Sequence, residues 1–132
     1  MHRVWLRRGS LLLIAVFFTA AGLNHFRDPA LYLAMMPTWL PWPHTLNLLV
    51  GVGEIAGGVG VLPRATRRAA GWGLLALLVA IFPANLRMLW TGFPGADLPM
   101  WVLWLRLPFQ PLMMAWVWWT CVRRREGDVA RA

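Results

Sequence analysis

Four apolar runs govern what this chain can become. They extend over about residues 9–26, 45–62, 69–90 and 100–121. At about 1.5 Å of rise per residue, each is long enough for a helix to cross a hydrocarbon core about 30 Å thick. Inside lipid the backbone must bond to itself, so such runs are helices, and no polar–apolar alternation argues for a barrel. With 59% apolar and 14% charged residues in 132, a soluble domain of this size has too little interior to hide its apolar surface. The expected fold is all-α: a four-helix transmembrane bundle forming one domain over residues 1–132.

The arginines orient that bundle. All thirteen basic residues are arginine, and the net charge is +8. Arg3, Arg7 and Arg8 precede the first run, Arg64, Arg67 and Arg68 separate the second from the third, and Arg123, Arg124, Arg125 and Arg131 follow the fourth. The other side has Arg27 beside Asp28, and Asp97. The positive-inside rule then puts both termini in the cytoplasm and makes the chain a multi-pass membrane protein. Arginines beside apolar runs suit a lipid bilayer as partner and exclude nucleic acid. Residues 1–21 also fit a secretory signal, with Thr19-Ala20-Ala21 as the cleavage region, but the apolar run continues through Leu23 and Phe26.

The outer connections are stiff. Pro37, Pro41 and Pro43 interleave with Trp39 and Trp42, so residues 27–44 are expected to lie along the outer interface. Gly92, Pro94, Gly95 and Pro99 make residues 91–99 a turn.

Ionisable and polar residues inside the spans are expensive there and mark the candidate site. Asn47, Gly51, Glu54 and Gly58 share one helical face, which is expected to point inward. A buried carboxyl group needs a partner or a proton. Arg106 is the expected partner of Glu54, as a clasp or as part of a ligand site. Pro108 and Pro111 deprive the carbonyls of Trp104 and Leu107 of their helical donors, which Arg106 and Gln110 could replace. Arg87 either joins the site or snorkels to the headgroups. Asn24, His25 and Asn85 complete an outer-half cluster of Asn24, His25, Glu54, Asn85, Arg106 and Gln110.

Other patterns carry less. Gly51-Val52-Gly53-Glu54-Ile55-Ala56 mimics a dinucleotide fingerprint but lies inside an apolar run rather than at a strand-to-helix turn. Gly53 and Gly57 form a GxxxG step, a candidate face for a homo-oligomer. His25 and His44 have nothing to fix them as haem ligands, and no metal site is expected. One cysteine, Cys121, excludes an internal disulfide or a CxxC pair.

The run Ala21-Gly22-Leu23-Asn24-His25-Phe26, the prolines 37–43, Gly51-Val52-Gly53-Glu54-Ile55, Phe82-Pro83-Ala84-Asn85 and Trp104 to Gln110 together resemble the DoxX family over about residues 10–121. The resemblance implies a four-helix inner-membrane protein linked to membrane redox complexes, with redox-complex subunits as partners and quinone as the cofactor class. It carries over no agreed catalytic residue. On this reading the chain is a small accessory of a quinone-linked system. Because no electron carrier is visible, a bound quinone or a partner would have to supply the redox chemistry. The alternative is a non-enzymatic assembly factor or a small transporter.

Overall fold

The computed structural model describes residues 2–123. Its elements are α1 (His2–Arg27), α2 (Pro29–Met35), α3 (Pro43–Gly60), α4 (Arg64–Thr91) and α5 (Met100–Val117), followed by a π-helical turn at Trp118–Val122. The architecture is all-α. Among the described residues there is no strand, only a bridge between Phe93 and Ala96 in the outer turn. Each apolar run became a long helix. Two of them, Val4–Arg27 and Arg64–Thr91, are long and apolar enough to cross a membrane. The expectation of four such helices is therefore met in two. The helices α3 and α5 have 18 residues each. The polar residues Asn47 and Glu54 in α3, and Arg106 and Gln110 in α5, reduce their apolar character.

The segment expected as a stiff interfacial strap contains the additional helix α2. Its start is encoded locally. Asp28 caps the helix by accepting from the Leu31 N–H at 3.2 Å, and Pro29 supplies the fixed φ of a first helical residue. Trp42, at φ 49°, turns the chain sharply into α3. Left-handed Gly92 (φ 76°) and Gly95 (φ 77°) shape the connection from α4 to α5.

Close approach of α1 and α3 sets the rest. Gly22 on α1 lies so near α3 that an added Cβ would stand 2.6 Å from the Gly51 carbonyl oxygen. One added at Gly58 would stand 2.9 Å from the Thr19 nitrogen. The shared face of Asn47, Gly51, Glu54 and Gly58 is buried, as its spacing predicts. Gly53 and Gly57 receive Leu77 and Leu74 of α4, so the GxxxG step is filled within the chain.

The apolar core of Ile14, Phe18, Val61, Leu74 and Val117 occupies the end of the bundle that carries most of the described arginines. There Arg67 donates to the Val61 and Leu62 carbonyls (2.8 and 2.6 Å), neutralising the exposed C-terminus of α3. Arg7 donates from Nε to the Thr120 carbonyl at 3.2 Å, joining the start of α1 to the π-turn. Leu13, Val16, Leu49, Val79 and Leu112 instead lie on the outside. Arg124, Arg125 and Arg131, which contribute to the expected orientation, lie outside the described residues.

Candidate functional site

The polar residues of the other half do not converge on one point; they form two separate groups. The first centres on His25, which α1 buries to 5% exposure. The absence of a side chain at Gly51 makes this possible, because a Cβ there would meet the His25 Cβ at 2.8 Å. His25 Nδ1 lies 2.7 Å from Asn47 Oδ1, and Asn47 Nδ2 donates to the His25 carbonyl at 3.0 Å. On its other edge, His25 Nε2 faces Glu54 Oε2 at 3.4 Å. That distance is within ion-pair range, yet Oε2 has no hydrogen-bond partner among the described residues although it is buried. The contact is long and unclosed. The ring of Tyr32 on α2 stacks on the imidazole, with centroids 3.6 Å apart and planes inclined by 22°. Asn24 Nδ2 donates to the Tyr32 hydroxyl at 3.0 Å.

The second group joins α4 to α5. Asn85 Nδ2 donates to Gln110 Oε1 at 3.0 Å, and Gln110 Nε2 donates to the Leu78 carbonyl. Leu78 immediately precedes the residue whose carbonyl Pro83 leaves without a helical donor in α4. The donor expected to serve the carbonyl freed within α5 therefore serves the neighbouring helix.

Arg106 is the main correction. It does not meet Glu54; its guanidinium lies 5.4 Å from the centroid of the Phe93 ring. Pro94 and Gly95 fold the outer turn back so that Phe93 offers a π-face to the cation. Glu54 turns to α1 because the glycine contacts bring that helix closer than α5. Arg87 donates to the Ala34 and Met36 carbonyls, fastening the end of α2 to α4. It also borders an open cleft of about 390 Å³ with Pro37, Trp39, Pro83 and Trp90.

Asn24, His25 and Glu54 thus come together, Asn85 and Gln110 form a second cluster, and Arg106 stands apart. Tyr32 is a site residue that sequence reasoning does not single out, and Asn47, expected on the inward face, joins the site as well. For Tyr32 the available signal is the Asp28-Pro29 helix start, which puts residue 32 on the first turn of α2. Among the described residues no three His, Cys, Asp or Glu side chains gather as a metal set.

Residues 14–121 match the family described as Domain of unknown function (DUF8561), and the chain belongs to it. This corrects the resemblance to DoxX, which nothing supports. The motifs behind it are short combinations of glycine, proline and single polar residues, and helices packed closely around buried polar groups call for the same residues whatever their family. No curated protein and no solved structure matches the chain.

Proposed function

We propose that this DUF8561 member is a multi-pass inner-membrane protein that exchanges a proton with a small ligand at the His25–Glu54 site. In this reading α1, α3, α4 and α5 with its π-turn all span, and both termini are cytoplasmic. Support comes from the apolar exterior and from Arg7, Arg64, Arg67 and Arg68 at the same end of the bundle. The observation that carries the functional reading is a histidine and a carboxyl group in buried contact at 3.4 Å, in a bundle whose outside is apolar.

The ligand class we assign is a quinone-type headgroup, with the chain as a small accessory of a redox system. A quinone partitions into the bilayer and must take up protons when reduced, so a proton-holding pair in the outer half suits it. The test is mild-detergent purification, with quantitative extraction and mass spectrometry of what co-purifies. Quinone near one per chain, reduced at least tenfold by Glu54→Gln, is the expected result. Its absence from the wild-type protein overturns the ligand assignment.

A second reading, a small proton-coupled transporter, is favoured by the same carboxyl group having no arginine against it among the described residues. Proton-driven uptake in proteoliposomes, lost in Glu54→Gln, would select it. Co-purification of a client protein unaffected by that substitution would mark an assembly factor instead.

A further inference from the structure

One group that can only accept settles the hydrogen-bond roles around His25. The His25 backbone carbonyl receives Asn47 Nδ2 at 3.0 Å. Asn47 Oδ1 is therefore the atom turned to the imidazole, 2.7 Å from Nδ1. An amide oxygen accepts and never donates, so Nδ1 carries a hydrogen. A flipped Asn47 amide would place oxygen against the carbonyl oxygen, which excludes that assignment. In a neutral imidazole Nε2 then holds a bare lone pair, and Nε2 is the atom facing Glu54 Oε2 at 3.4 Å. A lone pair against a carboxylate oxygen is repulsive. That same oxygen is buried and has no other hydrogen-bond partner among the described residues.

A single hydrogen in the gap removes both difficulties. We propose that His25 and Glu54 hold one proton between Nε2 and Oε2, and that Asn47 is the positioning residue that fixes the imidazole for it. This rests on the proton-exchange reading above and specifies which atoms carry it out. The proton sits either as Oε2–H donating to Nε2 or as Nε2–H⁺ donating to Oε2⁻. The pair is neutral in sum in both forms, so a proton crosses the gap with no change of net charge. That neutrality is what allows two ionisable groups to stay buried together.

Among the described residues the surroundings add no competing charge in contact with the pair. From α2, the Tyr32 ring stacks on the imidazole. From α4, Arg87 is turned to the Ala34 and Met36 carbonyls, and Asn85 to Gln110. From α5, Arg106 lies over Phe93 and Gln110 donates to Leu78. With Nδ1 held by Asn47 and Nε2 by the proton, neither imidazole nitrogen offers a free lone pair to a metal cation. The ligand chemistry that fits is a hydroxyl or carbonyl oxygen able to give or take one hydrogen.

The experiment uses the full chain in detergent, free of ligand, with ¹⁵N-labelled histidine. His25 resonances are identified by their loss in His25→Gln, and the Glu54 carboxyl C=O band by its loss in Glu54→Gln. The expected result is a protonated Nδ1, an Nε2 shift between those of a bare and a protonated nitrogen, and movement of that shift in Glu54→Gln. Asn47→Leu, which removes the accepting oxygen, should give mixed tautomers. A bare Nδ1 overturns the proposal. So does a neutral, unshifted Nε2 beside an ionised Glu54. If Glu54→Gln does not fold, the comparison is made on the difference between the wild-type and His25→Gln carboxyl C=O spectra, where the absence of any change is equally fatal. Because no ligand is present in this measurement, its failure is distinct from a failure of the quinone extraction.

Discussion

At Gly22 a missing side chain has a larger consequence than most side chains that are present. A Cβ added there would meet the Gly51 carbonyl oxygen and backbone nitrogen of Ile55, neither of which can rotate away. Gly22→Ala should destabilise the bundle by about 1–3 kcal/mol, seen as a lower thermal midpoint in detergent, and should part His25 from Glu54. Gly57→Ala presses on the buried Leu74 side chain rather than on backbone, and should be milder. Gly73→Ala, with nothing within 4 Å of the added atom, should be neutral or stabilising by up to about 1 kcal/mol, because alanine is the better helix former. The spacing of Asn47, Gly51, Glu54 and Gly58, at four, three and four residues, made the buried face legible in the sequence. The partner of Glu54 was not legible. Spacing along α3 says which way the carboxyl group points, but not whether α1 or α5 stands nearer, and that depends on glycines of two helices meeting.

On the scale of elements, α2 is the piece that sequence reading left unshaped. Seven residues make a helix too short to persist alone. It is held by Asp28 at its start and by Arg87 at its end. Asp28→Ala should remove about 0.5–2 kcal/mol of capping and speed amide exchange across residues 29–35, measured by hydrogen–deuterium exchange. Arg87→Ala should loosen the other end and expose the His25 ring by displacing Tyr32. Quicker modification of His25 by diethyl pyrocarbonate is the expected readout, and an unchanged rate would show that α2 is held without the arginine. The start of α2 was written in Asp28-Pro29. Its seat was not, because Arg87 lies more than fifty residues away and reaches backbone carbonyls, which leave no mark in side-chain patterns.

For the whole molecule, the arginine distribution predicts sidedness. In a Cys121→Ala background, Trp39→Cys should react with a membrane-impermeant maleimide added to spheroplasts, and Ala65→Cys should react only after lysis. Labelling of both from the same side would overturn the four-span topology proposed above. The number and order of long helices were legible because apolar length is a property of contiguous sequence. The π-turn was not, since Trp118–Val122 continues the apolar run with no break in composition.

That turn has a consequence for how the protein is made. Arg7 leaves the ribosome more than a hundred residues ahead of the Thr120 carbonyl it binds. Throughout translation the first helix waits without its final neighbour. The start of α1 and the π-turn can join only after nearly all of the chain between them has been made, and nascent chains halted before Thr120 would remain open to proteases that survey unfinished products.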